Sequence, residues 1–165
     1  MKFIFIFLFI LLHSCIFLQK DLSKEEYFLF QQNERYGYKT ISGKIAIKPE
    51  YMVAQNFRNG QAFVADRDKW MLINKKNRII LLPLPEDNFP DDYREGLARF
   101  IQNDKIGFFN EAGEIIIPAE FDFAQPFKRG KARVNMGCVK KLKEGNYKCK
   151  GGKWFYINKQ GKKIR

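Results

Sequence analysis

The chain has 165 residues, a formal net charge of +12, 45% hydrophobic residues, one histidine and three cysteines. That length is enough to build one continuous core without covalent staples. The sole histidine, His13, lies in an apolar leader. Cleavage near residue 15 would leave no imidazole for a Ser-His or Cys-His nucleophile pair, or for a zinc site, so histidine-dependent catalysis is excluded and no cofactor or metal is expected.

Lys2 precedes ten apolar residues, Phe3 to Leu12. A positive residue before such a run is the pattern of a secretory signal peptide, expected as an apolar helix within residues 1–15. Extended through Leu18, the run still falls short of the roughly 20 residues that span a bilayer comfortably. Leu12-His13-Ser14-Cys15 matches a relaxed bacterial lipoprotein box, which makes Cys15 a candidate for lipidation. His13 and the apolar Ile16-Phe17-Leu18 depart from that pattern, so an ordinary signal peptide stays open. Residues 16–35 are charged from Lys20 onward and read as a tether or capping segment.

Four segments then align at an aromatic or apolar slot: Tyr36, Trp70, Ile106 and Trp154. Seven residues after each slot stands Gly43, Asn77, Gly113 or Gly161. Glycine and asparagine enter the left-handed region cheaply, as a β-hairpin closed by a type I turn and a left-handed bulge residue requires. β-branched and aromatic runs flank each turn, such as Phe108-Phe109 before and Ile115-Ile116-Ile117 after, and they predict strands. Pro49, Pro83 and Pro118 are expected to stop the second strand, because proline cannot donate to a ladder.

A second phrase recurs between the hairpins, an aromatic followed by glycine and alanine. It reads Phe57-Arg58-Asn59-Gly60-Gln61-Ala62, then Tyr93 with Gly96 and Ala98, then Phe127 with Gly130 and Ala132, at spacings of 36 and 34 residues. Such a period signals a repeat architecture. The phrase glycine precedes the next slot by ten residues twice, so a third strand (Ala62-Phe63-Val64, Leu97 to Ile101, Ala132-Arg133-Val134) is expected to hairpin into strand one of the following copy. The copies run about 36–69, 70–105, 106–153 and 154–165. One such unit cannot hide its apolar face alone, so neighbours must stack.

These features resemble the WG (KWG) repeat family. Its copies run from Trp-Gly-Tyr through a Gly-Lys turn and Ile-Val-Ile-Pro to an aromatic-x-x-Gly-x-Ala phrase. The third copy matches best, through Gly107-Phe108, Gly113 to Pro118, Phe121-Asp122 and Phe127 to Ala132; the first matches through Gly37-Tyr38, Gly43-Lys44 and Tyr51. The second has Met71 in the glycine slot, and the fourth, with Trp154 and Gly161-Lys162, stops after its turn. The resemblance implies an all-β array of three full copies and a half copy over residues 36–165, open or barrel-like, in a bacterial exported protein with no general enzymatic activity.

Residues 128–165 hold fourteen Lys or Arg against Glu144 alone, whereas residues 1–127 are almost balanced. The basic set includes Lys128, Arg129, Lys131, Arg133, Lys140, Lys141, Lys143, Lys148, Lys150 and Lys153. Solvated strand faces and an aggregation-resistant edge are one reading; attraction to lipid headgroups, an acidic polymer or an acidic protein is the other. Nucleic acid is disfavoured, since export removes the chain from it and no recognition motif occurs. The step from the third copy to the fourth is 24 residues instead of ten. Folded about Lys143 to Asn146, the added residues bring Cys138 nearly opposite Cys149; a disulfide is expected, with a free thiol pair as the alternative.

The acidic stretch Glu86-Asp87-Asn88-Phe89-Pro90-Asp91-Asp92 reads as a solvated loop rather than a calcium site, lacking loop-motif spacing. Repeated aromatics read as core, with carbohydrate stacking by Trp70 or Trp154 as the alternative. Three functions follow. The first is a non-catalytic envelope protein binding a protein, an anionic polymer or a membrane surface, with a lipid anchor if Cys15 is acylated. The second is a carboxylate-pair glycan-active enzyme drawing on Asp122, Glu120 and Glu95. The third is a structural or inhibitor-like capping protein.

Overall fold

The computed structural model describes residues 25–143 and 146–164, the side chains of residues 140–148 excepted. The expected signal helix, His13 and Cys15 lie outside the described residues. Every described element is a strand, and every pairing is antiparallel.

β1 (Tyr27–Gln32), β2 (Arg35–Thr40) and β3 (Ile45–Tyr51) form a first sheet in that order. β1 falls in the stretch read as tether or capping segment, and it caps by pairing all six of its residues with β2. After Met52 the chain enters a second sheet through β4 (Val53–Ala54), β5 (Gln61–Asp66), β6 (Lys69–Asn74) and β7 (Ile79–Pro83). A small hairpin of β8 (Pro85–Glu86) and β9 (Phe89–Pro90) fills the acidic insertion. β10 (Leu97–Gln102), β11 (Lys105–Asn110) and β12 (Ile115–Phe121) then extend the second sheet to seven strands, in the order β12-β11-β10-β7-β6-β5-β4. The last sheet contains β13 (Phe123–Ala124), β14 (Lys131–Lys143), β15 (Asn146–Asn158) and β16 (Lys163–Ile164). None of these sheets closes on itself, so the array is open and the barrel-like alternative is set aside.

Two kinds of left-handed turn repeat along the chain. Gly43, Asn77, Gly113 and Gly161 have φ of 83°, 58°, 76° and 75°. Each closes the turn between strands one and two by donating its N–H to the residue three back: Thr40, Asn74, Asn110 or Asn158. Gly60, Gly96 and Gly130 each follow a residue that is itself left-handed (Asn59, Glu95, Arg129), and the pairs close two-residue hairpin loops between reciprocal bonds such as Arg58 with Gln61.

Pro49 and Pro118 do not stop their strands. β3 and β12 run past them to Tyr51 and Phe121, because each proline sits in a bulge. Tyr36 pairs with Tyr51 but Tyr38 with Ile47, and Ile106 pairs with Phe121 but Phe108 with Ile117. A residue without an N–H is tolerated where the ladder is already interrupted. The bulge also explains the glycine of the slot dipeptide. A Cβ on Gly37 would lie 2.6 Å from Ile47 O and 2.7 Å from Pro49 N, so the bulged strand presses directly on this glycine's backbone.

Each buried cluster is drawn mostly from one copy and completed by a strand-one residue of the next. Tyr38, Ile47 and Tyr51 of the first copy bury Val64 and Ile73 at its junction with the second. Leu72 and Leu81 of the second meet Phe100 and Phe109. Phe108, Ile117 and Phe121 of the third meet Val134 and Ile157. The phrase aromatics supply the keystones: Phe57 stands edge-on to Tyr38 at 4.6 Å, Tyr93 to Phe109 at 5.5 Å and Phe127 to Phe108 at 4.9 Å.

Candidate functional site

The hairpin of β14 and β15 is the element that departs most from its sister copies. Its base follows the common register, with Lys131 opposite Asn158 as Gln61 is opposite Asn74. Beyond Met136 and Lys153 it continues to Lys143 opposite Asn146, so the extra residues lengthen the hairpin by about 23 Å at ordinary strand rise. Gly137, Gly151 and Gly152 are all left-handed where the extension leaves the domain. Asp122 accepts the Gly137 N–H, and buried Asn135 donates to Gly151 O, so the base of this arm is fastened to the third copy. A disulfide joins Cys138 to Cys149 with Cα atoms 5.5 Å apart. The two are diagonal neighbours: Cys138 faces Gly151 and Cys149 faces Lys140.

Alternation along β14 turns Ala132 and Val134 into the core and leaves Lys131 and Arg133 exposed. The cations cover aromatic rings with one repeated diagonal offset. Lys131 Nζ lies 4.8 Å from the Tyr156 ring centre, and the Arg133 guanidinium lies 4.5 Å from that of Trp154. Lys163 sits 5.1 Å over Phe155. Guanidinium stacked on indole is attracted by the ring quadrupole and held flat, leaving its edge donors available to an anion. Lys128, Arg129, Lys150 and Lys153 are also exposed, whereas the side chains of Lys140, Lys141, Lys143 and Lys148 lie outside the described residues.

The carboxylates considered for glycan chemistry do other work. Asp122 pairs with Lys105 at 2.5 Å besides anchoring Gly137. Glu95 accepts the Gly130 N–H at 3.0 Å and lies 3.4 Å from Lys159; that backbone donor, helped by the lysine, holds its carboxyl below the usual range. Glu120 is exposed. Trp70 is buried, donating its indole N–H to Asn88 O at 2.9 Å, so carbohydrate stacking at Trp70 is ruled out by its packing. The acidic insertion is not wholly solvated either. Asp91 is buried against Arg99, with 2.9 Å and 2.5 Å bonds to the guanidinium and a 2.7 Å bond from the Arg99 N–H. Glu86 completes the cluster at 3.2 Å, and its hydrogen bond with Asp91 pushes its carboxyl up. Arg99 also donates to Ala124 O, tying the second copy to the next sheet. Among the described residues no cluster of metal-ligating side chains occurs.

A shallow apolar groove of about 470 Å³ opens where β7 and β10 splay apart beyond the Leu82–Ile101 pair, lined by Ile80, Ile101 and Ile115. Its only titratable lining residue is Asp104, which leaves no pair for acid–base work. The family model for the WG-containing repeat matches residues 36–70 and 106–137. These two segments are WG repeats. The matched segments are the copies that combine the slot glycine with the proline bulge. No curated protein and no solved structure is detectably similar to the chain.

One feature of the WG turn escapes a reading focused on glycine. Asn74, Asn110 and Asn158 each use their side-chain oxygen to accept two backbone N–H groups across the turn, from Lys76 and Arg78, Ala112 and Glu114, and Gln160 and Lys162. The signal is present in the sequence as asparagine at the same offset in three copies, with Thr40 in the first.

Proposed function

We propose that this WG-repeat protein is a non-catalytic, exported component of a bacterial cell envelope that binds an anionic partner through its C-terminal sheet. The observation that carries the reading is the Lys131–Tyr156 and Arg133–Trp154 ladder, where exposed cations repeat every second residue on a rigid strand. Exposed Lys150 and Lys153 on the neighbouring strand add positive charge to the same end of the domain. The acids near the third copy are engaged with backbone amides and lysines, which favours structural over catalytic roles for them. The leader sequence supports export, and Cys15 supports attachment by acylation.

Two experiments test this reading. Retention on a polyglutamate column should fall with rising salt, as expected for exposed charges, and should drop further when Lys131, Arg133, Lys150 and Lys153 are replaced by glutamate. Unchanged retention of that variant would remove the C-terminal sheet from the account. In bacterial fractionation, Cys15→Ala should release the protein from membranes; continued membrane retention would count against acylation.

A further inference from the structure

We infer that the C-terminal sheet docks an extended acidic segment of a partner polypeptide, an inference that rests on this sheet being an anion-binding face. The residue two past the slot is Tyr38, Leu72 or Phe108 in the first three copies, and it is 0%, 1% and 0% exposed. Its counterpart in the fourth copy, Tyr156, is 41% exposed. In each earlier copy this residue is covered by the segment that follows strand two: Phe57 packs on Tyr38, Tyr93 joins the Leu72 cluster and Phe127 packs on Phe108. Tyr156 therefore marks the side of the last sheet where such a segment would lie. Register puts the cations on that same side. Arg133 is paired with Tyr156 and Asn135 with Trp154, while Lys131 and Arg133 each cover the ring diagonal to them.

The second copy shows what chemistry suits such a face. Arg99 holds the strand-three position that Arg133 holds in the third copy, since each stands opposite the residue two past the next slot, Phe108 or Tyr156. Arg99 is neutralised by Asp91 and Glu86, both from the segment that follows β7. The same segment covers a slot indole: Trp70 donates its N–H to Asn88 O, and the Phe89 ring centre lies 6.4 Å from its own. Arg133 and Trp154 present a guanidinium and a slot indole together, both on the uncovered side. A segment carrying carboxylates beside aromatic groups satisfies both, whereas a carboxylate polymer answers the guanidinium alone. Charge disfavours a second copy of this chain. The opposite end of the array exposes Lys39 across from Phe28, so end-to-end stacking would bring like charges together.

The probe is a fluorescein-labelled synthetic peptide with the sequence of residues 84–93, which holds four acids, Phe89 and Tyr93, and no Lys or Arg. Fluorescence polarisation against the full chain should show saturable binding. Arg133→Gln should weaken it about tenfold, the loss of one charge-assisted contact. A peptide with Phe89→Ser and Tyr93→Ser keeps the charge and should also bind about tenfold more weakly, the loss of two aromatic contacts. Thermal melting checks that Arg133→Gln is folded, and Arg133→Lys, which keeps the charge without the planar fork, should bind between the two. Absence of peptide binding, equal binding of the two peptides, or binding indifferent to Arg133→Gln overturns the segment assignment while retention on polyglutamate keeps the anionic reading. A dimer in sedimentation that Arg133→Gln dissociates would give the face to a second copy and overturn it as well. A chain that engages neither the peptide nor polyglutamate overturns both.

Discussion

Gly107→Ala tests whether the slot glycine of a WG repeat serves space or torsion. Its φ is not left-handed, yet an added methyl would lie 2.5 Å from Ile117 O, 2.7 Å from Ala119 N and 2.5 Å from Phe100 Cε1. Two of these are backbone atoms of β12, held on either side of the bulge by the Ile106–Phe121 and Phe108–Ile117 pairs. The third belongs to a ring that is 2% exposed. Neither side can retreat without moving a strand, so the loss should sit near the top of the range for overpacking, about 3 kcal/mol. Gly43→Ala is the control. That position has φ of 83° and nothing within 4 Å of the added methyl, so only the left-handed penalty of about 1 kcal/mol applies. The entropy gained by replacing glycine in the unfolded chain is common to both variants and cancels in the comparison. Urea unfolding at equal slope measures the difference. If Gly107→Ala is no more damaging than Gly43→Ala, the bulge does not press on this glycine and the account of the repeat fails.

Asp91→Ala should cost about 3 kcal/mol, since it leaves the buried Arg99 guanidinium with only Glu86 and Ala124 O as partners; combining it with Arg99→Met should recover much of that loss in urea unfolding. Tyr51 and Tyr93 are each raised from 10.0 to about 12, first by burial and then by Glu50 and Glu111 respectively. The folded state thus keeps protons that the unfolded state releases. Their contribution is complete below pH 10 and disappears as pH climbs through 12. Urea midpoints should decline across that window, and Tyr93→Phe should flatten the decline; a midpoint independent of pH there would contradict it. Digestion without reduction should yield a peptide cross-linked through Cys138 and Cys149. The Cys138→Ser, Cys149→Ser pair should raise hydrogen exchange in the arm while the thermal midpoint of the domain, whose core lies elsewhere, shifts little.

The turns were legible because their chemistry is local. Gly43, Asn77, Gly113 and Gly161 share one offset, and a residue that must be left-handed restricts its own identity. The ten-residue step from Gly60 to Trp70 likewise encodes a two-residue hairpin, and the lengthened step after Gly130 encodes the arm, because strand pairing conserves register. What could not be read depends on partners distant along the chain. Asp91 looks like one acid in a solvated loop until Arg99 arrives from β10. Pro118 looks like a strand terminator until the bulge opposite Gly107 accommodates it. β1 was hidden for a simpler reason: its charged flanks outweighed the short run Tyr27 to Phe30 that pairs with β2.

The slot residue also accounts for how the copies join. With glycine at positions 37 and 107, strand two can bulge across strand one, reach Tyr51 or Phe121, and step into the next sheet through β4 or β13. In the second copy the slot holds Met71, whose β-carbon takes the place left open at Gly37 and Gly107 and whose side chain packs against the first copy's cluster. β7 accordingly keeps to Leu72–Leu81 and Ile73–Ile79, ends at Pro83, and is taken up by β10 through Leu82–Ile101 and Pro83–Phe100. Two copies therefore fuse into one seven-stranded sheet, and the insertion that carries Asp91 spans the junction, where the Arg99 cluster takes the place of the missing crossover. A single β-carbon thus separates the stepped junctions of this array from the continuous one.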